Sequence, residues 1–445
     1  MKHSRRNFLK TIGCSAILAP ALLRAVEVNK PASKPNIIYI LADDLGYGDV
    51  GCYGQKQIKT PRIDKMAAEG IRFTDHYSGS TVCAPSRCCL MTGVHTGHSF
   101  VKGNREVKPE GQYPIPADSI MISKLLKTAG YTTGAVGKWG LGFPGSHGAP
   151  NKQGFDFWYG YNCQRHAHSY WPTYLWRNEK KEPVAKGTWS HDLLTKEALA
   201  FIRRSKDKPF FLYLPYAIPH AQLHVPDVTP YENEDWPQKQ KQFAAMITRM
   251  DADVGKLLDL LKELKIDDNT LVTFASDNGP HREGGQKPDF FKSSGPFRGI
   301  KRDMFEGGIR VPFIARWPKT TPQGKTSKHI SAFWDILPTY CDIAGIKTPP
   351  GLDGISMLPT LLGENDKQKI HEYLFWVYSG TRTVRKGKWK AIGWPPRFKL
   401  YNLDQDIGET TDLYAKYPEV AKDIKRIMIE AFPQPKKTKK TQKKA

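Results

Sequence analysis

The feature that most constrains the fold is a pair of apolar runs that each end in acid. Pro35-Asn36-Ile37-Ile38-Tyr39-Ile40-Leu41-Ala42 carries no charge and runs directly into Asp43-Asp44. Thr270-Leu271-Val272-Thr273-Phe274-Ala275-Ser276 runs in the same way into Asp277-Asn278. A strand that is apolar along its whole length is buried on both faces, which calls for a parallel sheet covered by helices. Pro209-Phe210-Phe211-Leu212-Tyr213-Leu214 is a third run of this kind, and Tyr131 to Val136 reads as a further strand. Helical periodicity fills the intervals. Pro61 to Gly70 places Ile63, Met66 and Ala67 on one face, Ser119 to Ala129 stops at Gly130, and Leu193 to Arg204 and Gln242 to Leu264 are amphipathic. Strands alternating with helices, and polar residues at strand ends, predict an α/β sheet with a site along one edge.

From about residue 370 the pattern changes. Tyr373 to Val377, Thr381 to Arg385, Trp389 to Ile392 and Lys399 to Leu403 are short strands separated by turns, and Pro418 to Ala431 is an amphipathic helix. This predicts a main domain over 35–368 and a small α+β subdomain with an antiparallel sheet over 369–432.

The ends account for much of the formal charge of +23. Residues 433–445, with Lys436, Lys437, Lys439, Lys440, Lys443 and Lys444, read as a solvated, disordered tail. Residues 1–30 read as an export signal of the twin-arginine type: Ser4-Arg5-Arg6-Asn7-Phe8-Leu9-Lys10 precedes an apolar run from Ile12 to Leu23. Pro20 and the shortness of that run argue against a membrane span. The run lies mostly after Cys14, so lipoprotein anchoring is not expected. A periplasmic or secreted protein, passed through the twin-arginine export machinery, is the expectation. The remaining positive surplus suits a polyanionic ligand or is simply a basic surface. No nucleic-acid partner is expected. The seven cysteines form no CxxC pair, and Cys88-Cys89 inside an apolar stretch reads as buried small hydrophobes.

Asp43, Asp44, Asp277 and Asn278 are hard oxygen donors at the ends of two strands, and together they suit Ca2+, or less well Mg2+, rather than zinc. Singly, such a pair also serves as a turn or helix cap. Tyr161-Asn162-Cys163-Gln164-Arg165-His166-Ala167-His168-Ser169-Tyr170-Trp171 is rich in residue types that grip sugars. It makes His166 and His168 candidates for a substrate pocket, the alternative being a polar loop with packed aromatics.

Several stretches resemble the type I, formylglycine-dependent sulfatases of the alkaline phosphatase superfamily. They are Asn36 to Asp49, Cys83-Ala84-Pro85-Ser86-Arg87 through Thr92-Gly93 to His95, and Gly130 to Leu141. Further on are Pro219-His220, Ser276 to Gly279, Gly299 through Glu306-Gly307-Gly308-Ile309-Arg310-Val311-Pro312, and Leu400 to Glu409 with Asp412-Leu413. The resemblance covers roughly residues 35 to 432. It implies an alkaline-phosphatase-like α/β/α sandwich and an exported sulfuric ester hydrolase acting on sulfated carbohydrate. It also implies that Cys83 is oxidised to formylglycine by a formylglycine-generating or anaerobic maturating enzyme. One hydroxyl of the aldehyde hydrate then attacks sulfur and releases the alcohol. Loss of a proton from the other expels sulfate and restores the aldehyde. The resemblance makes Asp43, Asp44, Asp277, Asn278 and modified Cys83 the metal ligands. It also places Arg87 on the diol, Lys138 and Lys301 on sulfate oxygens, and His220 on the leaving oxygen. One departure stands out. Many sulfatases carry a histidine two residues after the lysine of Gly-Lys-Trp, and here that position is Gly140. His147, His281 and His95 are the candidates to replace it. Relatives with the same nucleophile are phosphonate monoester hydrolases or phosphodiesterases, and a non-catalytic glycan-binding protein is the third reading.

Overall fold

The computed structural model describes residues 34–432. The expected export signal over 1–30 and the expected basic tail over 433–445 lie outside the described residues. The main body is a ten-stranded mixed sheet. At its centre Asn36–Ala42 pairs in parallel with Thr270–Ser276 on one side and Phe210–Pro215 on the other. Thr132–Lys138 and Phe157–Tyr161 continue the parallel block. The edges turn antiparallel, through Phe313–Arg316 at one end and the Tyr174–Arg177/Lys180–Pro183 hairpin at the other.

The central strand shows why the apolar runs were needed. Ile38, Ile40 and Ala42 enter one core, which the helices Pro61–Ala68, Ser190–Ser205 and Gln238–Glu263 cover. Ile37, Tyr39 and Leu41 enter the other, beneath Cys83–Thr92, Ile122–Thr128 and Ile336–Ala344. Side chains alternate across a strand, so a strand buried on both faces builds an α/β/α sandwich. The predicted helices are all present with shifted ends. The one expected from Gln242 starts at Gln238, directly after Pro237, because its first turn is polar and invisible to apolar periodicity.

The C-terminal sheet is a four-stranded antiparallel meander over Leu374–Tyr378, Thr381–Lys386, Trp389–Trp394 and Arg397–Asn402. Helix Pro418–Glu430 closes its own small core with Ile424, Ile427 and Met428. Cys88 and Cys89 are buried, and among the described residues neither has a disulfide partner. Among the described residues no helix is long and apolar enough to cross a membrane.

Candidate active site

Parallel register delivers both acidic pairs to one edge of the sheet. Ala42 lies opposite Ser276 and Leu41 opposite Pro215, so the chain leaves three strands side by side. The exits are tied together: Asp43 N donates to Ile218 O at 3.1 Å, and Leu45 N donates to Ser276 Oγ at 2.9 Å. Asp44 adopts a φ of 64°, a left-handed conformation in which its amide donates to Asp277 Oδ1 at 3.0 Å. Asp tolerates that conformation better than most residues do.

Cys83 is the first residue of its helix and is buried against these carboxylates. Its Sγ lies 3.4 Å from Asp43 Oδ1 and 3.8 Å from Asp44 Oδ1. Arg87 follows one turn later, as an i, i+4 neighbour should. It donates through Nε and Nη2 to Asp277 Oδ2 at 3.1 and 2.7 Å, and through Nη1 to Lys138 O at 2.5 Å. Lys138, at the end of its strand, donates to Asp43 Oδ2 at 2.5 Å and lies 3.7 Å from Cys83 Sγ. Lys301 donates to Asp44 Oδ2 at 2.7 Å and contacts His220 Nε2 at 3.0 Å. His220 Nδ1 faces Ala221 O at 2.7 Å, which places a proton on Nδ1 and a lone pair on Nε2 toward Lys301. Thus Asp43, Asp44, Asp277, Asn278, Cys83, Arg87, Lys138, His220 and Lys301 form one buried cluster.

Electrostatics follow from that packing. Burial opposes ionisation of Asp43, but Lys138, His220 and Arg87 outweigh it and hold the carboxyl well below the usual range. Asp44 is likewise lowered, with Lys301 overcoming burial. Asp277 goes the other way: burial and the charge of Asp43 push it up to about 7, against Arg87. Burial and Asp277 raise the Cys83 thiol well above its ordinary value. The thiolate is the nucleophilic form of cysteine, and these surroundings disfavour it.

The residues fit a hard divalent cation. Ligand atoms of Asp43, Asp44, Cys83 and Asp277 all lie within 4.8 Å of one another. Asn278 Nδ2 donates to Asp44 Oδ1 and Gly279 O, and its Oδ1 is buried without a hydrogen-bond partner among the described residues. A buried orphan oxygen beside three mutually repelling carboxylates is a donor set that such a cation satisfies.

The histidines separate into distinct groups. His168 stacks on His220 with ring centroids 4.4 Å apart, and burial together with Lys138 lowers it to about 4, so it is neutral at pH 7. His166 packs instead with Tyr161 and Tyr174, its Nδ1 3.4 Å from Glu110 Oε1. His281 stacks at 5.4 Å on the other side of His220, but both its ring nitrogens face backbone atoms, Pro219 O and Glu283 N. His95 lies elsewhere, against His98, Trp334, Phe375 and Asp353, and His147 is exposed. Gly140 has a φ of 86°, and a Cβ there would come within 2.9 Å of Gln164 Nε2. Sequence reasoning missed Glu283, whose Oε2 lies 3.4 Å from both Lys301 Nζ and His220 Nε2. In the sequence it stands in Arg282-Glu283-Gly284-Gly285 as an ordinary loop acid.

The sulfatase family model matches residues 35–346, and a model of the N-sulphoglucosamine sulphohydrolase C-terminal region matches 298–434. N-acetylgalactosamine-6-sulfatase of Homo sapiens is 36% identical over 401 residues, covering 84% of this chain and 74% of that protein. Arylsulfatase G of Rattus norvegicus is 30% identical and covers 94% of this chain and 90% of its own length. Among solved structures, Ps i-CgsB, described also in complex with k-i-k-neocarrahexaose, superposes with a TM-score of 0.81 at 33% identity. It covers 91% of this chain and 94% of that one. The chain therefore belongs to the sulfatase family, as a type I sulfuric ester hydrolase of the alkaline phosphatase superfamily.

Proposed function

We propose that this sulfatase removes sulfate from a sulfated carbohydrate after export, using Cys83 converted to formylglycine and a divalent cation, calcium first. The observation that carries the reading is the convergence of Cys83, three carboxylates and two lysines at the carboxyl edge of the parallel strands. The relatives supply the substrate class: one is named for N-acetylgalactosamine 6-sulfate and another binds a carrageenan hexasaccharide.

Asp43, Asp44, Asp277 and Asn278 would hold the cation, which when bound supplies positive charge to the sulfate oxygens and to the nucleophile. The formylglycine supplies a hydrated aldehyde in place of the thiol. Arg87, fixed by Asp277 and by Lys138 O, keeps its guanidinium beside the side chain of residue 83. Lys138, held by Asp43, and Lys301, held by Asp44, His220 and Glu283, would set fixed positive charge against the sulfate oxygens, where it stabilises developing charge. The Lys301–His220 hydrogen bond keeps a proton between the two groups for the departing alcohol oxygen. His168, stacked on His220, is a substrate-facing candidate, and His166 holds the same loop through Glu110.

A panel of sulfate esters and phosphodiesters, assayed with protein whose Cys83 conversion is verified by mass spectrometry, tests this reading. Preference for sulfated saccharides supports it, and preference for phosphodiesters replaces it with a phosphonate or phosphodiester hydrolase. Full conversion without turnover on either class would support the glycan-binding alternative.

A further inference from the structure

Beside the cluster lies a cavity of about 350 Å3 whose floor includes Ala84, next to Cys83, and Gly140, two residues beyond Lys138. Its walls come from the segment that follows the Cys83 helix, and they combine three features. Phe100 and Tyr113 are exposed at 49% and 37%, and their rings stack with centroids 5.8 Å apart. The exposed Arg105 lies over the Tyr113 ring at 4.2 Å, and among the described residues it has no acidic partner. The nearby Glu106 is engaged at 2.8 Å by Arg165 instead. Next to Gly140 lies Gln164, 6% exposed, whose Nε2 has no hydrogen-bond partner among the described residues and would stand 2.9 Å from a Cβ at residue 140.

Each feature has a chemical reading. Exposed stacked aromatics suit the apolar face of a pyranose ring. An unpaired guanidinium braced on an aromatic face suits a carboxylate or sulfate, which it can bind through two parallel hydrogen bonds. A buried amide donor without a partner is costly unless a ligand supplies the acceptor. Ala84 and Gly140 in its lining place the cavity one residue from Cys83 and two residues from Lys138 in the chain.

We infer that this cavity is a saccharide subsite for the sugar adjoining the one that carries the scissile sulfate, and that it selects a neighbour bearing its own negative charge. Phe100 and Tyr113 form the stacking wall, Arg105 takes the second anionic group, and Gln164 donates to an oxygen of the sugar at the junction. This rests on the reading of the preceding subsection and narrows its substrate class to multiply charged oligosaccharides.

The test uses full-length protein with verified Cys83 conversion. Its panel holds defined oligosaccharides of chondroitin sulfate, heparin and carrageenan, each with the singly sulfated monosaccharide it contains. The readout is the ratio of kcat/KM for oligosaccharide over monosaccharide. The wild type should favour one doubly charged oligosaccharide by about tenfold or more, the scale of one charge-assisted bidentate contact, and Arg105→Ala should abolish that ratio. Gln164→Leu and Tyr113→Ala should lower it in part. A ratio near one in the wild type, or a ratio unchanged in Arg105→Ala, overturns the subsite. If converted wild-type protein releases no sulfate at all, the catalytic reading has failed, and titration of the same panel into Cys83→Ser protein decides the subsite separately. There a doubly charged oligosaccharide should bind about tenfold tighter than its monosaccharide, and the difference should vanish with Arg105→Ala. Equal affinities overturn it.

Discussion

The molecule holds two largely buried clusters, each built around three acids and three bases, and they are wired in opposite ways. At the active site, Asp43, Asp44 and Asp277 face Arg87, Lys138 and Lys301. At the seam with the C-terminal sheet, Asp75, Glu306 and Glu409 face Arg310, Arg385 and Lys390. In the seam the bases stand between the acids. Lys390 Nζ lies 2.9 Å from both Glu306 Oε1 and Glu409 Oε1, while Arg310 bridges Glu306 and Asp75 at 3.0 and 2.9 Å. Tyr77 OH and the Glu306 amide complete the network by donating to Glu306 Oε2 and Glu409 Oε2. At the active site the acids stand together, with ligand atoms within 4.8 Å of one another, and the bases sit outside them. Equal numbers of charges thus yield a fastener in one place and, on the proposed function, a site that binds and reacts in the other. Like charges held face to face oppose folding unless something is bound, which is the usual trade between stability and function.

The contrast can be broken in three ways, and a fourth test concerns a separate buried pair. Removing the reacting group has the largest effect. Cys83→Ala should lower kcat by roughly 10^4-fold or more, while the urea midpoint stays near that of the wild type. A midpoint falling steeply with activity would make Cys83 a core residue rather than a reacting one. Second is the seam. Lys390→Met leaves Glu306 and Glu409 buried without their shared cation and should cost about 3–5 kcal/mol in urea unfolding, with KM retained by the folded fraction. Third, Lys138→Met and Lys301→Met should each reduce kcat by about 10^2–10^3-fold and destabilise less than Lys390→Met does. The reverse order of stabilities would place the fastener at the active site.

The smallest effect concerns pH. Burial opposes charge on His371, but Asp335 Oδ1 at 2.8 Å outweighs it and raises the imidazole above its ordinary value. A group raised on folding contributes stability fully below its unfolded pKa, about 6.5, and loses it as pH rises through the folded value. Thermal scans should therefore show the wild type losing more stability above pH 6.5 than His371→Gln does. Parallel curves would remove His371 from the account.

Much of this was legible in the sequence, for identifiable reasons. Asn36–Ala42, Phe210–Pro215 and Thr270–Ser276 are apolar on both faces, so their burial and parallel pairing could be read residue by residue. Of the nine clustered site residues, Asp43, Asp44, Cys83, Lys138, Asp277 and Asn278 lie at strand or helix ends, Arg87 lies within its helix, and His220 and Lys301 lie in loops; all nine fall inside motifs. By contrast, Phe157–Tyr161 is interrupted by Gly160, and Lys180–Pro183 is mostly exposed, so neither has the pattern of a buried strand. The seam was visible only as a motif: Lys390 and Glu409 read as ordinary charges until the fold buries them against Glu306. The partner of Gly140 was equally hidden. Gln164 is 24 positions away, and only the turn after Phe157–Tyr161 brings its amide over that glycine.

The central claim is that the cluster around Cys83 is a cation-dependent desulfating centre. The most direct measurement is sulfate release from a sulfated oligosaccharide by protein with complete, mass-verified conversion of Cys83, before and after chelation and after calcium is restored. The account predicts release that chelation abolishes and calcium recovers. Full conversion with calcium present and no sulfate released from any sulfated saccharide would contradict it.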